Sequence, residues 1–140
     1  MKIAVITGAS SGLGKEYAIA VDKMRADIDE IWLIARRKDK LEELAESLKT
    51  NVRCVSIDIT DSECLNKYSE LLKQNAADVK LLINNAGFGK LGDFDKLDAA
   101  DNTGMVRLNC EALTAMTSLT LPFMSENSEI INTCSIAAFA

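Results

Sequence analysis

Thr7–Gly14, TGASSGLG, is the stretch whose reading decides the fold. It follows a continuous β-branched run, KIAVIT (2–7), and leads into a helix-like segment that begins near Leu13. Glycines at a strand–helix junction permit a tight turn and let the backbone approach a ligand closely. The helix N-terminus behind them offers unpaired N–H groups to a phosphate. Ser10 and Ser11 add hydroxyl groups at the same mouth. The spacing G-x-x-x-G-x-G differs from the G-x-G-x-x-G dinucleotide fingerprint. Taken alone, the loop also reads as a plain strand–helix turn, so the flanking segments have to decide.

Outward from the loop, strand-like and helix-like runs alternate. Leu13, Tyr17, Ala20, Val21 and Met24 fall along one helical stripe after it. EIWLIA (30–35) is a second buried run, and Leu41, Leu44, Ala45 and Leu48 mark one face of a charged helix. VRCVSID (52–58) is a third strand, followed by a helix bearing Leu65, Tyr68, Leu71 and Leu72, then a fourth strand, VKLLINN (79–85). AGFGKLGDF (86–94) is too open for either period. A helix is expected from about Asp98 to Ser125, interrupted near Gly104 and weakened at Pro122, before a fifth strand, SEIINTCS (128–135). Strict β-α-β alternation implies a parallel sheet covered by helices on both faces, because parallel strands need crossovers. The expected class is therefore α/β, a doubly wound Rossmann-type sheet occupying residues 1–140 as one domain. Ligands of such sheets bind beyond the carboxyl ends of the strands.

The totals narrow the function classes. A net charge of −5 lacks the basic footprint of a nucleic-acid binder. No apolar run reaches membrane-spanning length, and MKIAVITG is too short for a signal-peptide core, which points to a cytoplasmic protein without a membrane partner. Cys54, Cys64, Cys110 and Cys134 lack paired-ligand spacing, so no metal site is expected. Reduced, mostly buried thiols are favoured over disulfides. Histidine is absent, which removes the commonest general base.

TGASSGLG, then NNAG (84–87), LN (108–109) and INTCS (131–135), occur in the order and spacing of the short-chain dehydrogenase/reductase family, which the chain resembles over its whole length. The resemblance implies strand order 3-2-1-4-5 and a nicotinamide dinucleotide cofactor. It implies that Gly8, Gly12, Leu13 and Gly14 line the pyrophosphate, that Asp58 and Ile59 lie beside the adenine, and that Asn85, Ala86 and Gly87 pass the ribose. Asp58 also reads as a helix N-terminal acid, although Asp61 fills that role more naturally. An acid at the end of the second strand selects NAD, and an arginine accommodates the additional phosphate of NADP. LIARR places Ala35 where the acid would stand, then Arg36 and Arg37. NADP(H) is therefore expected, with Arg36 the principal contact, Arg37 a second, and Ser10 assisting. The same RRKDK run also suits a solvated helix start.

In this family a tyrosine, a lysine, a serine and an asparagine serve hydride transfer between the nicotinamide and a carbonyl or alcohol carbon. Ser135 and Asn109 stand at the serine and asparagine positions, though each also reads as a local structural hydroxyl or amide. The family's Tyr-x-x-x-Lys follows that serine, and the 140 residues contain none; Tyr17 and Tyr68 lie on earlier apolar helix faces. General acid–base catalysis typically contributes ~10²–10⁴-fold, so little or no turnover is expected of the chain as written. The fold is accordingly expected to be incomplete after its fifth strand. EIINTCS then becomes an exposed edge that favours self-association, hence a homo-oligomer, or else leaves the fold marginally stable. The competing readings are a non-catalytic NADP(H)-binding module ending naturally at Ala140 and, much less favoured, a Rossmann-like methyltransferase. Substrate identity stays open among sugars, hydroxy acids, steroids and acyl thioesters.

Overall fold

A computed structural model describes residues 1–139. Its first strand, β1 (Lys2–Thr7), is buried from Ile3 to Thr7, as a β-branched run must be when both faces are covered. Four further strands flank it in parallel: β2 (Glu30–Ala35), β3 (Asn51–Ser56), β4 (Asp78–Asn84) and β5 (Glu129–Asn132). The sheet order is β3-β2-β1-β4-β5, as the family resemblance implied. Ile3 pairs with Glu30 and Thr7 with Ile34 on one side of β1, and Ile6 pairs with Ile83 on the other.

Two helices lie on each face. On one, α1 (Gly12–Met24) and α2 (Lys38–Glu46) bury Ala18, Val21, Leu41 and Leu44 against Ala4, Ile6, Ile31 and Leu33. On the other, α3 (Ser62–Gln74) and α5 (Leu113–Thr120) bury Tyr68, Leu72 and Met116 against Val5, Trp32 and Leu82. Asp61 caps α3 by accepting from the Cys64 amide at 2.9 Å, the role the sequence assigned to it rather than to Asp58. Trp32 and Tyr68 meet edge to face, and the buried Tyr68 hydroxyl reaches Thr120 Oγ1 at 2.8 Å.

Several local expectations are corrected. The buried side of α1 is Gly14, Ala18 and Val21, whereas Leu13 and Met24 are 59% and 79% exposed. No interruption falls at Gly104. α4 (Ala99–Val106) passes through it, widens into a π-type turn over Arg107–Ala112, and continues as α5. Pro122 lies in a 3₁₀ turn, Leu121–Phe123, that ends the run, since proline tolerates a first turn but not an interior. β3 stops at Ser56 and β5 covers only Glu129–Asn132, where the loops beyond turn to the cleft. The thiols are less buried than expected: Cys54 and Cys64 are half-buried, and Cys110 and Cys134 are exposed. Among the described residues no helix is long and apolar enough to cross a membrane, and no cluster of His, Cys, Asp or Glu could hold a metal.

Candidate functional site

The sheet order reverses between β1 and β4, and the carboxyl ends of these two strands open a cleft of about 1120 Å³. Thr7 joins its two walls. The Thr7 hydroxyl accepts from the Asn85 and Ala86 amides, both at 3.0 Å, and so fixes the start of the 85–91 loop to the end of β1. Asn85 continues the brace, donating from Nδ2 to the Gly8 carbonyl at 3.4 Å and accepting from Thr133 at 3.0 Å.

Each glycine of the first loop has its own reason. Gly8 has φ +66°, and a Cβ there would stand 2.8 Å from the Ala86 Cα. At Gly14 a Cβ would lie 2.1 Å from the Gly8 carbonyl oxygen, so α1 can start this close to β1 only without a side chain. Gly12 also has positive φ, +54°, yet nothing lies within 4 Å of its Cβ direction. That empty cradle faces the cleft, at the amides of the first turn of α1. Ser11, the residue before the helix, makes no side-chain cap, which leaves those amides free for an anion. Gly8, Ser10, Ser11, Gly12 and Leu13 line the cleft. Gly14 is not among the lining residues; it lies packed against the Gly8 carbonyl.

At one end of the cleft Arg37, which precedes α2, donates from Nη2 to Ser10 Oγ at 3.3 Å, tying the end of β2 to the glycine loop. Arg36 lines the same end; its carbonyl accepts from Ser56 Oγ at 3.0 Å. Asp58 and Ile59 form the floor beside them. The Asp58 carboxylate accepts from the Thr60 hydroxyl at 2.7 Å and the Thr60 amide at 2.9 Å. These bonds hold its pKa below the ordinary carboxylate value, with a smaller contribution from Arg36.

At the other end Gly87 and Phe88 meet the π-type turn. Asn109 brackets Phe88 twice, accepting from its amide at 3.0 Å and donating to its carbonyl at 2.8 Å. A Cβ at Gly87 would stand 2.9 Å from Asn109 Oδ1. The bond is therefore long-range, not the local helix bond that an interior asparagine often makes. Ser135 lies in the same part of the chain surface, in the turn after β5; its hydroxyl accepts from the Ala137 amide at 3.2 Å and lines the cleft.

A cleft of this volume at a topological switch point, with a side-chain-free cradle and arginines at one end, matches the family that the motifs suggested. The short chain dehydrogenase family model matches residues 2–140. The chain belongs to this family.

An NADP-dependent 3-hydroxy acid dehydrogenase of Schizosaccharomyces pombe is 39% identical over 145 residues, covering 97% of this chain and 54% of that protein. A short-chain dehydrogenase from Sphingobium yanoikuyae in complex with NADPH superposes with a TM-score of 0.83 at 28% identity, covering 100% of this chain and 56% of that one. The KRED1-Pglu enzyme shares the fold, with a TM-score of 0.88 at 24% identity, over 100% of this chain and 59% of that one. The chain thus spans little more than half the length of these short-chain dehydrogenase relatives.

Sequence reasoning passed over Thr7, Thr133 and Phe88, which assemble the site without being part of its expected chemistry. Thr7 carried a signal, a hydroxyl at the very end of a buried strand next to the glycine loop. Phe88 carried none, because its role lies in backbone atoms.

Proposed function

We propose that the chain forms the nucleotide-binding part of an NADP(H)-dependent oxidoreductase acting on a small carbonyl or alcohol compound. The observation that carries this reading is the Arg37–Ser10 contact at the end of β2, where Ala35 replaces an acid and Arg36 stands alongside. A guanidinium supplies forked, charge-assisted donors to a phosphate, and loss of the acid removes repulsion from it. The NADP named for the Schizosaccharomyces pombe relative and the NADPH held by the Sphingobium yanoikuyae structure support the same choice.

In this reading the amides behind Gly12 and Leu13 hold the pyrophosphate, and Ile59 and Asp58 border the adenine. Asn85, Ala86 and Gly87 carry the ribose along the wall that Thr7 fixes. The dinucleotide, when bound, gives or takes the hydride. Ser135, whose hydroxyl proton is free while its oxygen accepts from Ala137, orients the substrate oxygen. Asn109 holds the Phe88 backbone, and with it the loop beside the substrate, in place. No Tyr-x-x-x-Lys occurs in the 140 residues, so binding with little or no turnover is expected of them alone. A cytoplasmic setting and self-association belong to the same reading.

Fluorescence titration with NADPH and NADH tests the proposal. Tighter NADPH binding is expected, and Arg36→Ala or Arg37→Ala should weaken NADPH far more than NADH. Equal affinities, or tighter NADH, would reject it.

A further inference from the structure

The end of the cleft away from Arg36 and Arg37 carries charge of one sign. Its charged lining is Lys90 and Arg107; among the described residues the cleft's one lining carboxylate is Asp58, at the opposite end. Arg107 opens the π-type turn that carries Asn109, is exposed, and has no ion-pair partner among the described residues. Lys90 is tied to α4: its amide donates to Met105 Sδ at 3.4 Å and its ammonium group pairs with Asp101. That pair largely balances the Lys90 charge and leaves one uncompensated cation, Arg107, at this end. Asp93, Asp95 and Asp98 of the neighbouring loop stay outside the lining, and Asp93 is itself paired with Lys96. Apolar side chains make up much of the same wall, Phe88, Leu91, Met105 and Leu108 among them. The Phe88 ring packs over Gly104, where a Cβ would stand 3.5 Å from its Cζ.

We infer that the substrate is a small hydroxy or oxo monocarboxylate and that Arg107 takes its carboxylate. The inference rests on the nucleotide reading above, with Ser135 at the substrate oxygen, and adds to it a substrate class and a residue that determines specificity. A guanidinium meets a carboxylate through two parallel charge-assisted hydrogen bonds. One uncompensated positive charge balances a monoanion, whereas a phosphate monoester, at about −1.5 to −2 near neutral pH, needs a second. The apolar wall suits the short carbon chain between the carboxylate and the reacting oxygen. Asp101 sets the strength of the site by holding the Lys90 ammonium group away from the ligand.

The test titrates the NADPH-loaded chain with 2-hydroxybutanoate, 3-hydroxybutanoate, their methyl esters and glycerol 3-phosphate, read by the fluorescence of bound NADPH and by ligand-observed NMR. Cofactor and ligands are all in the reduced state, so binding is read without turnover. The better-bound acid should exceed its own ester on the order of tenfold. Arg107→Gln should bring that ratio close to one while ester binding and NADPH affinity stay unchanged. Arg107→Lys should restore part of the ratio, and Asp101→Asn, which frees Lys90, should raise it. An Arg107→Gln protein that keeps the wild-type ratio overturns the inference and leaves the nucleotide reading standing. So do esters that bind as tightly as their acids, glycerol 3-phosphate binding more tightly than either acid, and a loaded chain that takes none of these ligands. Failure of NADPH itself to bind overturns the nucleotide reading and this inference with it.

Discussion

Replacing Gly14 by alanine sets two effects of opposite sign against each other. In a helix interior alanine is favoured over glycine by ~1 kcal/mol, so propensity alone makes Gly14→Ala stabilising. The added methyl, however, would stand 2.1 Å from the Gly8 carbonyl oxygen and 2.7 Å from its carbon. That is roughly 1 Å inside an ordinary C···O contact of about 3.3 Å. Gly8 has nowhere to retreat, because its own Cβ direction already meets the Ala86 Cα at 2.8 Å. Ala86 is in turn held by Thr7. Overpacking against yielding side chains costs about 1–3 kcal/mol; with backbone on both sides the upper end applies. Subtracting the propensity gain leaves a net loss of ~2 kcal/mol, which lowers Tm by roughly 6–10 °C for a chain of this size. Scanning calorimetry and urea unfolding followed by circular dichroism read it directly. Gly12→Ala is the control: φ is +54° but the space is open, so its conformational cost is only ~1 kcal/mol. That variant should stay folded yet lose NADPH affinity by about tenfold, as its methyl enters the cradle. A Gly14→Ala protein as stable as the parent, or more so, would refute the packing role.

Other perturbations separate the remaining supports. Asn109→Asp keeps the acceptor for the Phe88 amide but turns a carboxylate oxygen toward the Phe88 carbonyl, so stability should fall by about 1 kcal/mol. Amides of residues 88–91 should then exchange faster, and unchanged exchange would remove the bracket. Burial raises the Tyr68 phenol above its ordinary pKa of about 10, with the Thr120 bond opposing in part. The folded value is the higher one, so this contribution is complete below about pH 10 and declines as pH rises further, by up to ~1.4 kcal/mol per pH unit. Wild type should therefore lose stability relative to Tyr68→Phe above about pH 10; a difference constant from neutral to alkaline pH would contradict this. Asp61→Ala removes the α3 cap and should cost ~1 kcal/mol in urea unfolding. No loss would mean that the first turn of α3 is satisfied by water.

The strands were legible because their signal is local and uninterrupted. KIAVIT and EIWLIA are buried on both faces, and a run of that kind carries its own boundary in the glycine or charge that follows. The cleft lining was legible where a residue type is forced by the backbone, as at Gly8 and Gly12, or where charge stands out, as at Arg36 and Arg37. Less could be read where a role depends on partners far along the chain. Nothing near Arg107–Ala112 breaks a helix by composition, and glycine at 104 pointed elsewhere. The widening occurs where Asn109 is held by Phe88 and where Thr114 bonds back to the Cys110 carbonyl at 2.8 Å. The first partner lies 21 residues earlier in the chain, outside any helical window.

The misread face of α1 has the same origin as the glycine loop. Counting large apolar side chains selects Leu13, Tyr17, Ala20, Val21 and Met24, since burial of such groups usually fixes the inward face. Here the helix starts at a junction so tight that Gly14 excludes even a methyl, and one turn on Ala18 is fully buried. Close approach therefore reserves the inward face of the first turns for small residues, Gly14 and Ala18, with Val21 entering the core only a turn further on. Leu13 and Met24 are left exposed, with Tyr17 and Ala20 half-buried. The same closeness brings the free amides of α1 to the mouth of the cleft. The departure from hydrophobic periodicity and the open cradle at Gly12 are thus two consequences of one distance, that between the start of α1 and the end of β1.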